Sequence, residues 1–496
     1  MKSSYVLAID QGTSGTKTII FDEQGKICAK ATEPLKTLYL NNGHVEQNPD
    51  EVYQNVLSSV KNCVEVFTNN GGNVKDIITC GISNQRETFV IWDKTGKPLY
   101  NAVVWQCKRS IEVCERLKNE ELQQTIKLKT GLLIDPYFSG SKLIWLYENN
   151  ESVKDAINQG NAYFGTIDTW LLYKLTGGKK YSTDYTNASR TLFFNLSTLT
   201  WDAALLNTFG LSNLNLPECK PSAYFFGESN FNGLLPQLVC ITAMIGDSHA
   251  AAFGEGCYTP GTAKATMGTG CSILMNIGEE IKYSDNGMVT TICWSTEDKV
   301  QYALEGVIVS CGATIEWLKN ELGLFSDSKE TAQLAESVED NNGVYLVPAF
   351  SGLGAPHWDM SRKAAITGLT FSATKNHIVR AALESVVYQV KDVIKAMESD
   401  TEISLEQLMI DGGISANNFI VQFLADLLYK PVVNIGITDV SALGAAYLAG
   451  LQQGIFESIE QLLQLSTGKK ICLPSFNYKA STCYNEWKKI ISQNQI

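Results

Sequence analysis

The segment LAIDQGTSGTKTIIFD, residues 7–22, decides the interpretation of the fold. Residues 5–9 and 18–21 are short apolar runs, and each predicts a buried β-strand. Between them, DQGTSGTK (residues 10–17) is too long and too rich in hydroxyl side chains for a minimal two-residue hairpin turn. The sequence therefore predicts a hairpin of two core strands whose tip presents an aspartate, two glycines and several Thr and Ser hydroxyls.

The second half of the chain repeats this pattern. In GTAKATMGTGCSILMNIG, residues 261–278, the loop MGTG separates two apolar strands. In LEQLMIDGGISANNFIVQFLADLLY, residues 405–429, a strand ends at Asp411-Gly412-Gly413 and a helix follows. The apolar residues of that helix fall on one face: Phe419, Ile420, Phe423, Leu424, Leu427 and Leu428.

These two similar halves predict the domain organisation. Strand-end aspartates recur at Asp10, Asp247 and Asp411, and each half offers a strand, a Gly/Thr loop and a second strand. A chain of 496 residues also exceeds what one hydrophobic core usually serves. We therefore predict an α/β fold of two similar domains, residues 1–252 and 253–496, which face each other across a cleft.

The segments in between give further local predictions. GISNQRETFVIWDKTGKPLYNAVVW, residues 81–105, predicts two strands joined by a turn. Arg86 and Glu87 would then be neighbours on a strand and point to opposite faces. Residues 238–245 predict a strand that ends just before Asp247, where an alanine-rich helix follows. Helical patterns also cover residues 109–117 and 142–147.

Composition and charge exclude several classes of partner. The chain carries 52 acidic and 40 basic residues, a formal charge of −12, and no basic run, so we predict no nucleic-acid partner. Its thirteen cysteines form no C-x-x-C pair, which is typical of reduced thiols in the cytoplasm. Every apolar stretch is shorter than the roughly 18 residues of a membrane span, so we predict no membrane insertion. The four histidines lie too far apart in sequence to suggest a metal site.

The two predicted loops have the chemistry of a phosphate site. Hydroxyls and glycine-exposed backbone N–H groups form a concave set of donors for phosphate oxygens, and an aspartate beside them can bind Mg²⁺. Either loop alone is better explained as an ordinary turn, but both together with the Asp-Gly-Gly turn at 411–413 favour a nucleotide held from two sides. A P-loop is excluded because Gly15 is not followed directly by lysine. Two S-x-x-K matches, residues 14–17 and 139–142, lack the partner motifs of that enzyme class, and we interpret them as chance.

Two longer segments carry a resemblance to a known family. YFSGSKLIWLYEN (residues 137–149) and AAITGLTFSATKNHIVRAALE (residues 364–384) resemble the signature segments of the FGGY carbohydrate kinases, and the similarity covers nearly the whole chain. Other segments, such as GISNQRET and TDYTNASRTLFFN, are most similar to the members that phosphorylate glycerol. The resemblance implies two ribonuclease-H-like domains of the actin/hexokinase type around a catalytic cleft. It also implies ATP-dependent phosphorylation of a small polyol, glycerol to sn-glycerol 3-phosphate, with Mg²⁺.

The same resemblance implies roles for individual residues. Asp247 matches the catalytic base, and Asp10 matches the residue that positions Mg²⁺. The first phosphate loop matches at Thr13, Ser14, Gly15 and Lys17, where arginine is usual in place of the lysine. The rest of the ATP site matches at Thr269, Gly312, Glu316, Gly413 and Asn417, where glutamine is usual in place of the glutamate. The polyol site matches at Arg86, Glu87, Trp105, Tyr137, Asp247 and Ser248.

Several alternatives stay open. Ser248 and Ser272 stand where the glycerol-phosphorylating members typically carry glutamine and phenylalanine, which would leave a larger and wetter pocket. Such a pocket would admit a larger polyol or ketose of the erythritol, xylitol or xylulose type. A non-catalytic ATP-binding module would share the fold, although Asp247 together with Arg86 and Glu87 argues against it. Asp247 is also a candidate N-cap for the helix that follows it. The sequence does not fix the oligomeric state, and a homo-oligomer is compatible with it.

Overall fold

The computed structural model describes residues 4–465, 468–475 and 478–493. The strands of the first half are β1 (Tyr5–Gln11), β2 (Gly15–Phe21), β3 (Ile27–Pro34), β4 (Leu38–Tyr39), β5 (Val45–Gln47), β6 (Ile77–Asn84), β7 (Phe89–Asp93), β8 (Ala102–Val103), β9 (Ala162–Thr166), β10 (Ser182–Asp184), β11 (Phe194–Asn195), β12 (Thr200–Trp201), β13 (Glu218–Lys220), β14 (Ala223–Ser229) and β15 (Val239–Gly246). Its helices are α1 (Pro49–Asn69), α2 (Ile111–Leu117), α3 (Glu120–Thr130), α4 (Ser139–Asn149), α5 (Glu151–Asn158), α6 (Ile167–Leu175), α7 (Tyr185–Ala188), α8 (Ala203–Thr208) and α9 (Asp247–Glu255).

The second half continues the alternation of strands and helices. Its strands are β16 (Thr262–Met267), β17 (Cys271–Gly278), β18 (Val289–Ser295), β19 (Val300–Ile308), β20 (Tyr345–Val347), β21 (Ala365–Thr367), β22 (Gln407–Asp411), β23 (Val432–Asn434) and β24 (Lys470–Cys472). Its helices are α10 (Gly312–Asn320), α11 (Thr331–Glu336), α12 (Lys375–Thr401), α13 (Asn418–Leu428), α14 (Val440–Gln453), α15 (Ile459–Leu465) and α16 (Tyr478–Ser492). Among these residues, none of the helices combines the length and the apolar character that crossing a bilayer requires.

Each half is built on one large mixed sheet. The first sheet has the order β14-β15-β6-β1-β2-β3, and the second has the order β18-β19-β17-β16-β22-β23-β24. In the first, β1 pairs antiparallel with β2 and parallel with β6; in the second, β16 pairs antiparallel with β17 and parallel with β22. The prediction of two similar α/β units, each opening on a Gly/Thr hairpin, is therefore confirmed. The shared order is that of the predicted ribonuclease-H-like domains. A smaller sheet, β4-β5-β8-β7-β9, is added to the first half.

The strand register explains why functional side chains meet at one edge of the first sheet. Asp10 on β1 lies opposite Ser83 on β6, and Ser83 lies opposite Ile245 on β15. Because β1, β6 and β15 are parallel, their carboxyl ends open on the same edge. Arg86 follows the end of β6 and Asp247 follows the end of β15, so Asp247 lies near Asp10 and pairs with Arg86.

The first hairpin has a shorter loop than predicted. The strands extend to Gln11 and begin again at Gly15, so only residues 12–14 form the loop. Alternate residues of the second strand turn inward, and Ser59 Oγ donates a hydrogen bond to Thr18 Oγ1 at 2.8 Å. The prediction was wrong in placing residues 10, 11 and 15–17 in the loop, because they are paired within the sheet: Gln11 lies opposite Thr16, and Lys17 lies opposite Thr32.

Arg86 and Glu87 do not lie on a strand, contrary to the prediction. The first strand ends at Asn84 and the next begins at Phe89. Glu87 has a left-handed backbone with φ of 59°, a conformation that is uncommon for residues other than glycine. This break lets both side chains turn toward one buried set of charges, which the alternation of a regular strand would prevent.

The two halves share a hydrophobic core through α9 and α14. A Cβ on Gly444 of α14 would lie 1.8 Å from the carbonyl oxygen of Ala250 on α9, so only glycine permits this approach. A Cβ on Gly81 of β6 would lie 2.2 Å from the Ala445 oxygen, so α14 also packs closely under the first sheet. Residue 252 falls inside α9, and the division into residues 1–252 and 253–496 stays a prediction.

Other local predictions agree with the structure. The predicted helical patterns correspond to α2 and α4, and the apolar face of α13 is buried. All thirteen cysteines are free, as predicted for reduced thiols.

Candidate active site

A cavity of about 1130 Å³ lies between the two halves, at the edges where the large sheets end. Residues of the first half that line it include Thr13, Arg86, Glu87, Trp105, Tyr137, Asp247 and Ser248. Those of the second half include Lys264, Thr266, Ser272, Asp411 and Gly413. The other predicted site residues lie outside this lining: Asp10, Ser14, Gly15, Lys17, Thr269, Gly312, Glu316 and Asn417.

Asp10 and Asp247 form an acidic pair at this edge. Asp10 Oδ1 accepts a hydrogen bond from Ser83 Oγ at 3.1 Å. Burial raises the pKa of Asp10 to about 6, and the charge of Asp247 adds to the rise. Asp247 Oδ1 lies 3.3 Å from Arg86 Nε, and its side chain is 39% exposed. The N-cap of α9 is Gly246 and no side chain caps the helix, so the carboxylate of Asp247 is left free to act in the cleft.

Four buried charged residues, Arg86, Glu87, Arg190 and Glu305, form what we call the charge cluster. Arg86 donates to both carboxylate oxygens of Glu305, at 3.2 Å from Nη1 and 2.9 Å from Nη2. Arg190 Nη1 lies 2.7 Å from Glu305 Oε2, and Arg190 Nε donates to Glu87 Oε1 at 2.5 Å. None of the four side chains is more than 6% exposed. Two guanidiniums thus balance two carboxylates, which compensates for the cost of removing the charges from water.

The two carboxylates of the charge cluster differ in their titration. Burial raises the pKa of Glu305, but Arg190 and Arg86 outweigh burial and hold the pKa well below its usual range. For Glu87, burial raises the pKa and the same two guanidiniums offset only part of the rise. Sequence reasoning missed Arg190 and Glu305. The available signal was that Glu305 is the one charged residue in the strand VQYALEGVI, because a lone charge in an apolar strand needs a buried partner.

An aromatic wall stands beside the charge cluster. The rings of Trp105 and Tyr137 contact edge to face, with their centroids 5.6 Å apart. Trp105 Nε1 donates to Thr13 Oγ1 at 2.9 Å, which joins this wall to the first predicted phosphate loop. Burial raises the pKa of Tyr137 well above its usual range, so its hydroxyl stays protonated and can donate. The arrangement offers an apolar surface for a short carbon chain with polar groups around it.

Ser248, Ser272 and Lys264 form a polar wall on the opposite side. The Ser248 and Ser272 hydroxyl oxygens lie 3.5 Å apart, and Ser272 Oγ donates to Glu305 Oε1 at 3.2 Å. Lys264 Nζ donates to Ser248 Oγ and Thr266 Oγ1, both at 2.7 Å. Sequence reasoning did not single out Lys264. The predicted enlarged, wetter pocket is compatible with this wall, which is made of small hydroxyls and one ammonium group.

The first phosphate loop is closed by its own backbone. Gly12 N donates to the Gly15 carbonyl oxygen at 2.9 Å, and Gln47 Nε2 donates to the Thr13 carbonyl oxygen at 2.7 Å. Ser14 is exposed. Lys17 Nζ lies 3.1 Å from Asp439 Oδ1, in an ion pair that links the two halves. Its predicted contact with phosphate therefore requires that the ammonium be shared with Asp439.

The start of α10 holds the second loop, residues 268–270. Cys311 N and Gly312 N donate to the carbonyl oxygens of Thr269 and Gly268, both at 2.9 Å. A Cβ on Gly412 would lie 2.5 Å from the Met267 oxygen, so the Asp-Gly-Gly turn packs directly on this loop. Thr13 of the first loop and Gly412 and Gly413 of the Asp-Gly-Gly turn line the same cavity, whereas a grip on phosphate by both loops stays a prediction.

Two residues of the predicted ATP site have their side chains engaged elsewhere. Asn417 Oδ1 accepts from Ile420 N as the N-cap of α13, and its Nδ2 donates to Thr331 Oγ1 at 3.0 Å. Glu316 Oε1 accepts from Ser328 Oγ at 3.0 Å. Neither side chain lines the cavity, so these two assignments stay predictions that the geometry does not favour.

Comparisons with known proteins agree with this geometry. The models of the N- and C-terminal domains of the FGGY family of carbohydrate kinases match residues 5–254 and 263–452. The chain is 45% identical over 493 residues to a glycerol kinase of Thermoanaerobacter sp. (strain X514), which covers 99% of this chain and 98% of that protein. It is 47% identical over 462 residues to a glycerol kinase of Fusobacterium nucleatum, which covers 93% of this chain and 92% of that protein.

A solved structure is similar over the same length. The crystal structure of Plasmodium falciparum glycerol kinase with ADP superimposes with a TM-score of 0.94 at 36% identity, and the match covers 100% of this chain and 99% of that chain. The predicted family resemblance and the predicted two-domain fold of the actin/hexokinase type are both confirmed. The chain belongs to the FGGY family of carbohydrate kinases.

Proposed function

We propose that this chain transfers the γ-phosphoryl group of ATP to a primary hydroxyl of glycerol, giving sn-glycerol 3-phosphate and ADP. The observation that carries the proposal is the Asp247 carboxylate, which lies beside Arg86 and lines the same cavity as the aromatic wall and Thr13 of the first loop. The relatives support glycerol as the acceptor, because they are glycerol kinases similar over nearly the whole chain. The ADP bound in the solved neighbour supports an adenine nucleotide as the donor.

Asp247 is the general base of the proposed reaction. As an acceptor oxygen attacks the γ-phosphorus, a P–O bond forms and the bond from that phosphorus to the β–γ bridging oxygen breaks. The acceptor proton passes to the Asp247 carboxylate, which requires an oxygen-to-oxygen distance of about 2.6–3.2 Å. Arg86 and Tyr137 supply donors to acceptor hydroxyls, and Trp105 packs against the carbon chain. The two loops hold the phosphates through backbone N–H groups and the Thr13 and Thr269 hydroxyls.

Asp10 is the residue that would hold Mg²⁺. Burial and the nearby charge of Asp247 raise the pKa of Asp10 to about 6, so a divalent cation beside Asp10 would stabilise its ionised form. Within the described ranges, no group of three or more His, Cys, Asp or Glu side chains could hold a metal ion. This also fits, because Mg²⁺ commonly takes only one or two carboxylates and completes its ligands with phosphate oxygens and water. When bound, the ion would neutralise charge on the phosphoryl group.

Protonation of Asp10 should compete with Mg²⁺. The pKa of Asp10 is raised to about 6, so below that pH the carboxyl carries a proton and cannot act as a ligand. We expect the Mg²⁺ affinity of the ADP complex to fall about tenfold for each pH unit below 6. Calorimetric titration of Mg²⁺ between pH 5 and 7.5 measures this. The nucleotide also titrates, so the Asp10→Asn variant is the control. The same pH slope in wild type and variant would contradict the assignment.

An assay of ADP release with separate acceptors tests the proposed function. We expect glycerol to give a kcat/KM at least about tenfold higher than erythritol, xylitol or xylulose, because longer chains must displace contacts with the aromatic wall. A higher value for one of the longer acceptors would favour the larger-polyol alternative, for which the polar wall of Ser248, Ser272 and Lys264 is the supporting observation. ADP release that none of the acceptors stimulates would leave only the ATP-binding module.

A further inference from the structure

The first turn of α4, residues 139–142, makes hydrogen bonds to the backbone on both sides of the proposed polyol site. It contains Lys142, the last residue of one of the two S-x-x-K matches interpreted above as chance. Lys142 is completely buried, and its Nζ donates to the carbonyl oxygens of Pro136, Tyr137 and Trp105 at 2.7, 2.5 and 3.3 Å. An ammonium group has three donors, so all of them are used on neutral carbonyls. Two of these carbonyls belong to the residues whose rings form the aromatic wall.

A buried ammonium is a costly way to fill this space. Burial lowers the pKa of Lys142 to about 8, although Glu87 opposes the shift. An apolar side chain of the same length would fill the volume without the cost of desolvating a charge. What such a side chain could not do is hold residues 105 and 137 together, because they are 32 positions apart in the sequence and the described contacts between their backbones run through this ammonium.

The serine of the same turn holds the other side of the polyol site. Ser139 Oγ donates to the carbonyl oxygen of Glu87 at 2.7 Å, and Ser139 N donates to the Arg190 carbonyl oxygen at 3.4 Å. Glu87 has a left-handed backbone, which persists only where surrounding contacts fix it. A Cβ on Gly140 would lie 2.4 Å from the Thr191 oxygen, so the turn packs without a gap on the segment that carries Arg190.

We propose that Ser139 and Lys142 are positioning residues for the polyol acceptor: together they set the backbone of the aromatic wall and of Glu87 while touching neither acceptor nor nucleotide. This proposal rests on the proposed function for the identity of the acceptor site. The nucleotide loops have no contact with this turn among the described hydrogen bonds. Loss of the turn's hydrogen bonds should therefore weaken acceptor binding much more than ATP binding, which the turn reaches only indirectly, through the hydrogen bond from Trp105 to Thr13.

Three variants test the proposal. Lys142→Met keeps the length of the side chain and removes all three donors, and Ser139→Ala removes one hydrogen bond with little loss of packing. Ser141→Ala is the matched control, because Ser141 lies in the same turn and its hydroxyl bonds to Asp135, Phe138, Ser110 and Cys114, outside the aromatic wall and the charge cluster. We expect the acceptor KM to rise about 10- to 100-fold in Lys142→Met and about 3- to 10-fold in Ser139→Ala. The KM for ATP should stay within about twofold in all three, and Ser141→Ala should resemble wild type.

Hydrogen exchange without substrates provides a readout that does not depend on catalysis. We expect faster amide exchange in residues 85–88 and 104–107 of Ser139→Ala and Lys142→Met than of Ser141→Ala, with no change in residues 262–278. The proposal is overturned if these segments exchange as in wild type, or if KM for ATP rises as much as that for the acceptor. It is equally overturned if Ser139→Ala lowers the melting temperature and leaves the acceptor KM unchanged.

If Lys142→Met does not fold, the comparison of Ser139→Ala with Ser141→Ala tests the proposal. A wild type without polyol-stimulated activity would refute the proposed function, and the exchange data would still decide whether the turn positions these segments.

Discussion

The Asp247→Asn variant should lose about 10²- to 10⁴-fold in kcat, the range that general-base catalysis contributes. Asparagine has nearly the same shape as aspartate, so the contacts with Arg86 Nε and with Ser248 N are disturbed little. It cannot accept the proton that leaves the attacking hydroxyl, and the acceptor would have to attack in its protonated form. Steady-state kinetics of ADP release, together with a separate titration of ATP binding, measure the two effects independently. ATP affinity should change by less than about threefold.

The matched control for this variant is Asp202→Asn. Asp202 Oδ1 accepts from Leu205 N as the N-cap of α8, and asparagine is nearly as good an N-cap as aspartate. Its kcat should resemble that of wild type, while its melting temperature should fall, because Asp202 also accepts from Lys129 Nζ at 2.9 Å and from Asn195 Nδ2 at 3.0 Å. If Asp247→Asn keeps a kcat close to the wild-type value, Asp247 is not the base. If ATP affinity falls in parallel with kcat, the carboxylate serves nucleotide or metal binding instead.

Local signals in the sequence predicted the framework of the site. Apolar runs interrupted by glycine and hydroxyl residues predict the strands that carry Asp10 and Asp411 and the hairpin loop at residues 268–270. Asp247 could be placed at a strand end for the same reason. Its freedom from helix capping could not be predicted, because that depends on Gly246 taking the capping position.

Sequence patterns could not predict the charge cluster. Arg86 and Glu305 are 219 positions apart and come from different halves, and periodicity carries no information about which buried charges pair. The pattern of residues 81–92 predicts one strand with Arg86 and Glu87 on opposite faces, yet the strand ends at Asn84 and both side chains join the buried charge cluster. The sequence also gives no role for Lys142, because its partners are backbone carbonyls, which a sequence motif does not identify.

Glu305→Gln should cause the largest loss of stability among these variants. The neutral amide would leave the buried guanidiniums of Arg86 and Arg190 with one carboxylate fewer, and breaking a buried ion pair from one side typically costs about 3–5 kcal/mol. The pKa of Glu305 is held below its usual range in the folded protein. Its stabilising contribution is therefore fully present at pH 7 and would be lost only in acid, as the pH falls through that lowered pKa. Because Glu305 also orients Arg86, the acceptor KM should rise in the variant while the KM for ATP changes less.

Two further variants test whether the loss of stability in Glu305→Gln comes from burial and charge balance or only from the loss of an ion pair. Glu148→Gln breaks the exposed pair with Arg116, whose nitrogen and oxygen lie 2.5 Å apart, and should cost only about 0–1 kcal/mol because water screens exposed pairs. The double variant Arg190→Met/Glu305→Gln removes one charge of each sign, so it should be more stable than the sum of the two single losses predicts, by about 0.5–3 kcal/mol of coupling. Denaturant unfolding of Glu305→Gln, Arg190→Met, their double variant and Glu148→Gln at pH 7 measures these differences. The role of charge in the cluster would be contradicted by either of two results. One is a loss of unfolding free energy in Glu305→Gln no larger than that in Glu148→Gln. The other is strict additivity of the single losses in the double variant.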